Sequence, residues 1–160
     1  MGAIPLHQQT TITSAPAPDR RQAVLLYSEL RGLARMSEAL EPDLVLRLAN
    51  DFFSFAAHIV ATHGGEAVTS QHDTLLSVFL RGSPLQTAQQ AVRAAQRIQA
   101  EYPSLAEKWR TSYGLRTAVA QGLHLGEAVL GVAGPKGLEH RVAFGDSVSL
   151  AQHMVSRARA

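Results

Sequence analysis

Hydrophobic residues along this chain follow two different spacings, one typical of strands and one typical of helices. Between Ala23 and Ser28 apolar and aromatic residues run without polar alternation, which is typical of a strand covered on both faces. After Pro42, a residue that the first turn of a helix tolerates, the spacing predicts a long helix. The apolar positions of that helix are Leu44, Leu48, Phe52, Phe55 and Ile59. The pair Gly64 and Gly65 predicts its end, because glycine accepts positive φ.

The second half of the chain predicts two hairpins, each followed by a helix. Residues 66–71 and 74–80 are predicted strands that meet at a tight turn on His72 and Asp73. Ser83 begins an alanine-rich helix, and a loop is predicted through Pro103. The other predicted segments are strands at 113–122, 127–132 and 140–144, a loop at 134–137 and a helix from Asp146. This order predicts an α+β fold, an antiparallel-rich sheet with helices packed on one face.

Composition limits the function classes open to this protein. The 160 residues are 46% hydrophobic and 18% charged, as in an ordinary soluble domain, so one domain is expected. With 15 basic against 13 acidic residues, the charge balance gives no argument for a nucleic-acid partner. The chain has no cysteine, which excludes disulfides, thiol nucleophiles and thiolate metal sites. No apolar run approaches the ~18 residues of a membrane span, so we expect no membrane segment and a cytoplasmic location.

The N-terminal residues differ in composition from the rest of the chain. Residues 1–20, MGAIPLHQQTTITSAPAPDR, are rich in glutamine, threonine, serine, proline and alanine. Such a composition is typical of a flexible arm or linker. The folded domain is therefore expected at residues 21–160.

Four segments in a compatible order and spacing point to a known family. The segment GLHLGEAVLGVAG at 122–134 contains a glycine–apolar–His–x–Gly–Glu pattern. It is accompanied by YSELRGL at 27–33, LANDFFSFAAHIVATHGG at 48–65 and FGDSVSLA at 144–151. Together they resemble the class III nucleotide cyclase homology domain, the family of adenylate and guanylate cyclases. The resemblance implies a ferredoxin-like βαββαβ core and a dimer with sites at its interface. The C-terminal strands of the family, with a last catalytic lysine, would lie beyond Ala160.

The resemblance also implies a metal site. In the family, a carboxylate at the end of the first strand and another at the tip of the next hairpin bind divalent metals, and Glu29 and Asp73 stand at those places. Mg²⁺ or Mn²⁺ held there would activate a ribose hydroxyl of a nucleoside triphosphate and neutralise its phosphates. The backbone amides expected to face the phosphates are those of Arg31, Gly32, Leu33 and Ala34. A solvated glutamate and an ordinary hairpin aspartate remain the alternative.

Other positions of the resembled site carry different residue types. Thr69 stands where the family has a purine-reading lysine or glutamate, and Val142 stands where it has a base-reading Asp, Thr or Cys. Ser149 replaces the asparagine that orients the ribose, and His153 replaces the arginine that stabilises the transition state. His72 replaces a turn glycine. Since loss of one group that stabilises transition-state charge slows a reaction by roughly 10²–10³, these substitutions predict a catalytically degenerate site.

Three functions therefore remain open. The first is a cyclase-like module without cyclase activity that acts as a dimerising or regulatory domain. The second is a weak or active adenylate or guanylate cyclase, and the third is a nucleotide sensor without turnover. The expected partner is a second copy or another cyclase-like chain, and such a chain could restore chemistry at Glu29 and Asp73. A degenerate site would need no cofactor.

Overall fold

The computed structural model describes residues 17–158, which form five strands and four helices. In chain order they are β1 (Asp19–Arg31), α1 (Leu33–Ala39), α2 (Pro42–Thr62), β2 (Glu66–Gln71), β3 (Thr74–Phe79), α3 (Pro84–Tyr113), β4 (Ala118–Ala133), β5 (His140–Phe144) and α4 (Asp146–Arg157). Of the predicted arm at 1–20, residues 1–16 lie outside the described part. β1 begins at Asp19 and therefore includes the last two residues of the predicted arm. The rest of the arm stays a prediction.

The strands form one antiparallel sheet in the order β2-β3-β1-β4-β5. β1 lies at its centre, pairs with β4 over its whole length from Asp19 to Arg31, and pairs with β3 from Val24 to Glu29. This central position explains why its sequence lacks polar alternation, because both faces are covered. The α+β fold class with an antiparallel sheet is confirmed.

Two hydrophobic clusters lie on opposite faces of the sheet. One contains Leu26 and Leu30 of β1, together with residues of α1, α2 and α3. The other contains Leu25 and Tyr27 of β1, together with Val155 of α4. The expectation of helices on one face thus holds for α1, α2 and α3, whereas α4 packs on the other face. The period of two along a strand sends alternate side chains to the two clusters.

The predicted loop through Pro103 is wrong, because this proline lies inside α3, a helix of 30 residues. A proline inside a helix removes one backbone hydrogen bond and crowds the preceding turn. Here the flanking turns are fixed by packing: Tyr102 is buried, its hydroxyl donates to Thr117 Oγ1 at 2.7 Å, and its ring meets that of buried Trp109 edge-on at 6.4 Å. Tertiary contacts therefore outweigh the local signal.

The predicted start of α3 at Ser83 is confirmed by a capping box. The Ser83 hydroxyl oxygen accepts a hydrogen bond from the Gln86 backbone N–H at 3.3 Å. In return, Gln86 Oε1 accepts one from the Ser83 N–H at 2.9 Å. Two amide groups that the helix leaves without intrahelical partners are satisfied in this way.

The strands predicted at 113–122 and 127–132 are one continuous strand, β4, of 16 residues. The predicted start at Tyr113 is wrong, because Tyr113 ends α3 and β4 begins at Ala118. Gly122 and Gly126 lie at the two ends of the predicted break, and both are inside the strand and under α4. A Cβ on Gly122 would lie 2.7 Å from the Ala151 carbonyl oxygen, and one on Gly126 would collide with the Ser147 side chain. These glycines let a helix approach the sheet closely, which is the other common reason for glycine in a strand.

One helix of the described part meets the length and composition of a membrane span, and the expectation of no membrane segment stays an expectation. By length and composition, the 21-residue α2 could cross a membrane, with a mean hydropathy of 1.4 over its most apolar window. A third of that window is buried in the fold. Phe52 and Val60 of α2 are fully buried in the hydrophobic cluster that also contains Leu26 and Leu30 of β1. In this structure α2 is a core helix.

Candidate functional site

The two predicted metal carboxylates come together at one end of the sheet. Glu29 pairs with Thr74 in the register of β1 and β3, so it lies next to the turn that holds Asp73. The Leu30 backbone N–H donates to the Asp73 carbonyl oxygen at 2.7 Å, which extends the pairing into that turn. By strand alternation Glu29 points to the same face as Tyr27, the face covered by α4.

Glu29 is a largely buried carboxylate with a charged partner. Its side chain is 15% exposed, and Arg31 Nη1 lies 2.9 Å from its Oε1. Burial raises the pKa of Glu29, the Arg31 guanidinium lowers it and the Asp73 carboxylate raises it, with a net rise. The Asp73 carboxylate accepts a hydrogen bond from the Thr74 hydroxyl at 3.1 Å.

Arg31 also contacts the C-terminal end of α4. Its Nη2 donates to the Val155 carbonyl oxygen at 2.8 Å, and lies 3.5 Å from the Ala158 carbonyl oxygen. The last carbonyls of a helix lack intrahelical partners, so a guanidinium is a favourable donor for them. The sequence prediction gave Arg31 only a phosphate-facing backbone and missed this side-chain role.

A cleft of about 420 Å³ opens beside Asp73 on the α4 face. Its volume falls within the roughly 300–1,000 Å³ typical of small-ligand sites. The lining residues are Tyr27, Thr69, Gln71, His72, Asp73, Thr74, Leu76 and Gln152. Two other clefts, of about 440 and 530 Å³, lie between α3 and β4 on the opposite face and contain none of the predicted site residues.

Five cleft residues were missed by the sequence prediction: Tyr27, Gln71, Thr74, Leu76 and Gln152. Tyr27 and Gln71 could have been found from strand alternation, since they share a face with Glu29 and Thr69 respectively. Gln152 carried no such signal, because only the packing of α4 across the sheet brings it to the hairpin.

His72 makes the hairpin turn in a left-handed backbone conformation, with φ of 53°. Among residues 17–158 it is the one non-glycine residue with positive φ. For a residue with a Cβ, this conformation costs roughly 1–2 kcal/mol. The prediction that His72 makes this turn without the freedom of glycine is confirmed.

The structure does not bring the remaining predicted residues into the cleft. Ser149 and His153 lie one turn apart on the exposed side of α4. Val142 is half-buried on β5, where it pairs with Gly131 of β4, two strands from β1. Within this chain these three residues are separate from Glu29, so their implied roles stay predictions.

Gly32, Leu33 and Ala34 lie at the start of α1, as the sequence indicates. Gly32 is the residue before the helix and has φ of 110°, and no side chain caps this end. α1 is only seven residues long. Contact of these backbone groups with phosphate stays a prediction.

The donor set can be tested against the divalent metals that the family resemblance implies. In the described part of the chain no group of three or more His, Cys, Asp or Glu side chains converges on one point. Glu29 and Asp73 make a pair, and the charge of Glu29 is already matched by Arg31. In this arrangement the Glu29 carboxylate is held by a guanidinium, whose positive charge does not fit a divalent ion at the same oxygen.

Comparison with known proteins gives the family. Residues 16–160 match the model of the adenylate and guanylate cyclase catalytic domain. The chain belongs to this family. An adenylate cyclase of Anabaena cylindrica is 26% identical over 139 residues, which are 86% of this chain and 28% of that protein. A uridylate cyclase of Burkholderia cepacia is 26% identical over 122 residues, which are 73% of this chain and 52% of that protein. The chain thus spans about half or less of these relatives.

Solved structures share the fold of this cyclase-family domain. The adenylyl cyclase CyaB from P. aeruginosa superposes with a TM-score of 0.81 at 21% identity, covering 90% of this chain and 76% of that chain. A non-canonical dimeric guanylyl cyclase domain of a fusion protein from the aquatic fungus Blastocladiella emersonii superposes with a TM-score of 0.73 at 20% identity, covering 89% of this chain and 78% of that chain. At these identities the likeness concerns the fold.

Proposed function

We propose that this chain is a cyclase-fold module that does not cyclise nucleotides by itself and acts as a dimerising, regulatory domain. The observation that carries this proposal is the exposed face of α4. It presents Ser149 and His153 at the positions to which the family resemblance assigns an asparagine and an arginine. Histidine lacks the planar, always-charged fork that arginine offers to a phosphate.

A second chain is the proposed partner, either another copy or another cyclase-like chain. Ser149 and His153 are exposed and do not line the cleft of their own chain, so we propose that any role they have in a site concerns a neighbouring molecule. Next to them on α4, Leu150 and Met154 are 48% and 47% exposed. Exposed apolar side chains on a helix favour association. The dimeric fungal domain of the same fold supports the proposal.

Nucleotide binding without turnover is a second candidate, favoured by the cleft beside Asp73. The hydroxyl of Thr69 and the amides of Gln71 and Gln152 supply hydrogen-bonding groups around an apolar floor of Tyr27 and Leu76. The relatives act on different bases, adenine and uracil by their names, so the base is left to the experiment. We further propose a cytoplasmic location, where nucleoside triphosphates are available.

A product assay tests the main proposal. The purified chain is incubated with Mn²⁺ and ATP, GTP or UTP, and cyclic nucleotide is measured by chromatography. Asp73→Ala is compared with Asp51→Ala, which changes an exposed aspartate of α2. We expect no cyclic product from any of the proteins. Product that Asp73→Ala abolishes and Asp51→Ala retains would overturn the proposal and identify an active cyclase.

Sedimentation tests the dimer. We expect the wild-type chain to dimerise and the double variant Leu150→Glu/Met154→Glu to be a monomer with an unchanged circular dichroism spectrum. The matched control is Leu46→Glu on α2, which changes a leucine that is 62% exposed and should leave the dimer intact. A monomeric wild type would contradict the proposed α4 interface. So would equal weakening of the dimer by the α4 double variant and by Leu46→Glu.

A further inference from the structure

We propose that the guanidinium of Arg31 takes the place of a divalent cation at Glu29, the carboxylate next to Asp73, and that the C-terminal end of α4 holds it there. A divalent ion would then bind the pair only when Arg31 is released. This inference goes beyond the proposed function, because it concerns the cation at the carboxylates and not turnover or dimerisation.

The first support is the way in which Arg31 divides its donors. Nη1 meets the Glu29 carboxylate at 2.9 Å, and Nη2 meets the Val155 carbonyl oxygen at 2.8 Å. A guanidinium has five N–H donors in a rigid fork, so it can serve both partners at once. One side chain thereby links the end of β1 to the end of α4.

The second support is electrostatic. Arg31 lies against two sources of negative potential, the Glu29 carboxylate and the C-terminal carbonyls of α4. The aligned peptide dipoles place roughly half a negative charge at a helix C-terminus. A lysine or arginine on the surface would lose little interaction energy on moving away. If Arg31 moved away, the Glu29 carboxylate would lose its positive partner and the Val155 carbonyl oxygen would lose its side-chain donor.

The third support is burial. The Glu29 and Arg31 side chains are 15% and 34% exposed, so salt screens their attraction less than that of a surface pair. A divalent ion at Glu29 Oε1 would lie within a few ångströms of the guanidinium and be repelled by it. Metal binding therefore requires Arg31 to swing away, which breaks its contacts with α4.

Titration with MnCl₂ alone tests the proposal, with free Mn²⁺ measured by electron paramagnetic resonance. We expect Arg31→Ala to bind Mn²⁺ at least about tenfold more tightly than the wild type, because a neighbouring positive charge is gone. Arg35→Ala, which changes an exposed arginine of α1, is the matched control and should behave as the wild type. Addition of Asp73→Ala to Arg31→Ala should abolish the gain in Mn²⁺ affinity.

Two outcomes would overturn the proposal that Arg31 takes the place of a divalent cation. One is a wild-type affinity for Mn²⁺ equal to that of Arg31→Ala. The other is a gain that persists after Asp73→Ala. Arg31→Gln keeps a donor for the α4 carbonyls, so it provides the same comparison if Arg31→Ala fails to fold. The readout is independent of cyclase activity, so a failed product assay and a failed titration are distinguishable.

Hydrogen exchange tests the link to α4. In Arg31→Ala the backbone amides of the last turn of α4 should exchange at least about fivefold faster than in the wild type, since a contact that closes this turn is lost. In Arg35→Ala they should be unchanged. Equal exchange in all three proteins would overturn the claim that α4 holds Arg31.

Discussion

The contact between α4 and Gly122 predicts a specific loss of stability for Gly122→Ala. The added Cβ would lie 2.7 Å from both the Ala151 carbonyl oxygen and the Val155 backbone nitrogen. Ordinary contact begins at 3.4 Å, so the helix would have to move by about 0.7 Å. Both obstacles are backbone atoms, which cannot turn aside as a flexible side chain would.

The magnitude follows from how firmly α4 is held. Ala151 and Val155 are 0% and 2% exposed, and Arg31 donates to the Val155 carbonyl oxygen. Overpacking of such a site typically lowers the free energy of unfolding by about 1–3 kcal/mol. For a chain of this length we expect the melting temperature to fall by about 2–4 °C per kcal/mol, or about 2–12 °C in total.

Gly131→Ala on the same strand is the matched control. A Cβ there would meet no atom within 4 Å, and the backbone is not in the left-handed region. Because alanine loses less chain entropy on folding than glycine, we expect the free energy of unfolding to stay equal or to rise by up to about 1 kcal/mol.

Thermal unfolding followed by circular dichroism, with urea unfolding as a second measure, decides the question. We expect the Gly122→Ala protein to melt below the wild type and the Gly131→Ala protein to melt at or above it. Equal melting temperatures for the two variants would refute the packing of α4 on Gly122.

Three other predictions concern stability and use the same unfolding measurements. Phe52→Ala should lower the free energy of unfolding by about 3–5 kcal/mol, because the side chain is fully buried, whereas Leu46→Ala, at 62% exposure, should change it by less than about 0.5 kcal/mol. Ser83→Ala should lower it by about 1 kcal/mol through loss of the capping box, with no comparable loss for the exposed Ser104→Ala inside the same helix. His72→Gly should raise it by up to about 1 kcal/mol, because the left-handed strain of histidine exceeds the chain entropy of glycine.

Each of these predictions has a contrary result. Similar losses at the two hydrophobic positions of α2 would contradict the orientation of that helix. Equal effects of the two serine variants would contradict the cap. A less stable glycine variant at the hairpin turn would show that the histidine side chain contributes contacts worth more than the strain.

Local patterns in the sequence sufficed for much of the fold. The uninterrupted apolar run in β1, the helical spacing in α2 and the turn at His72 all depend on neighbours along the chain, and each was predicted within a few residues. The loop predicted at Pro103 and the break predicted between residues 122 and 127 are wrong, since proline and glycine occur both in breaks and inside packed helices and strands. Only the packing of α3 and α4 against the sheet selects between them.

The candidate site, like the fold, was only partly predictable from the sequence. The sequence determined that Glu29 ends a buried strand and that Asp73 lies in the next turn, and antiparallel pairing then brings them together. It could not show that Arg31 reaches Glu29 and the end of α4 at once, or that Gln152 enters the cleft.

The contacts of Arg31 with α4 and of Gln152 with the cleft join residues separated by 76 to 127 positions along the chain. No periodicity within a strand or helix encodes them, because they depend on which face of the sheet α4 occupies. The two glycines of β4 allow the helix to approach on this face. The sequence determined the elements and the acidic pair, and the tertiary structure decided that Arg31 joins Glu29 to the end of α4.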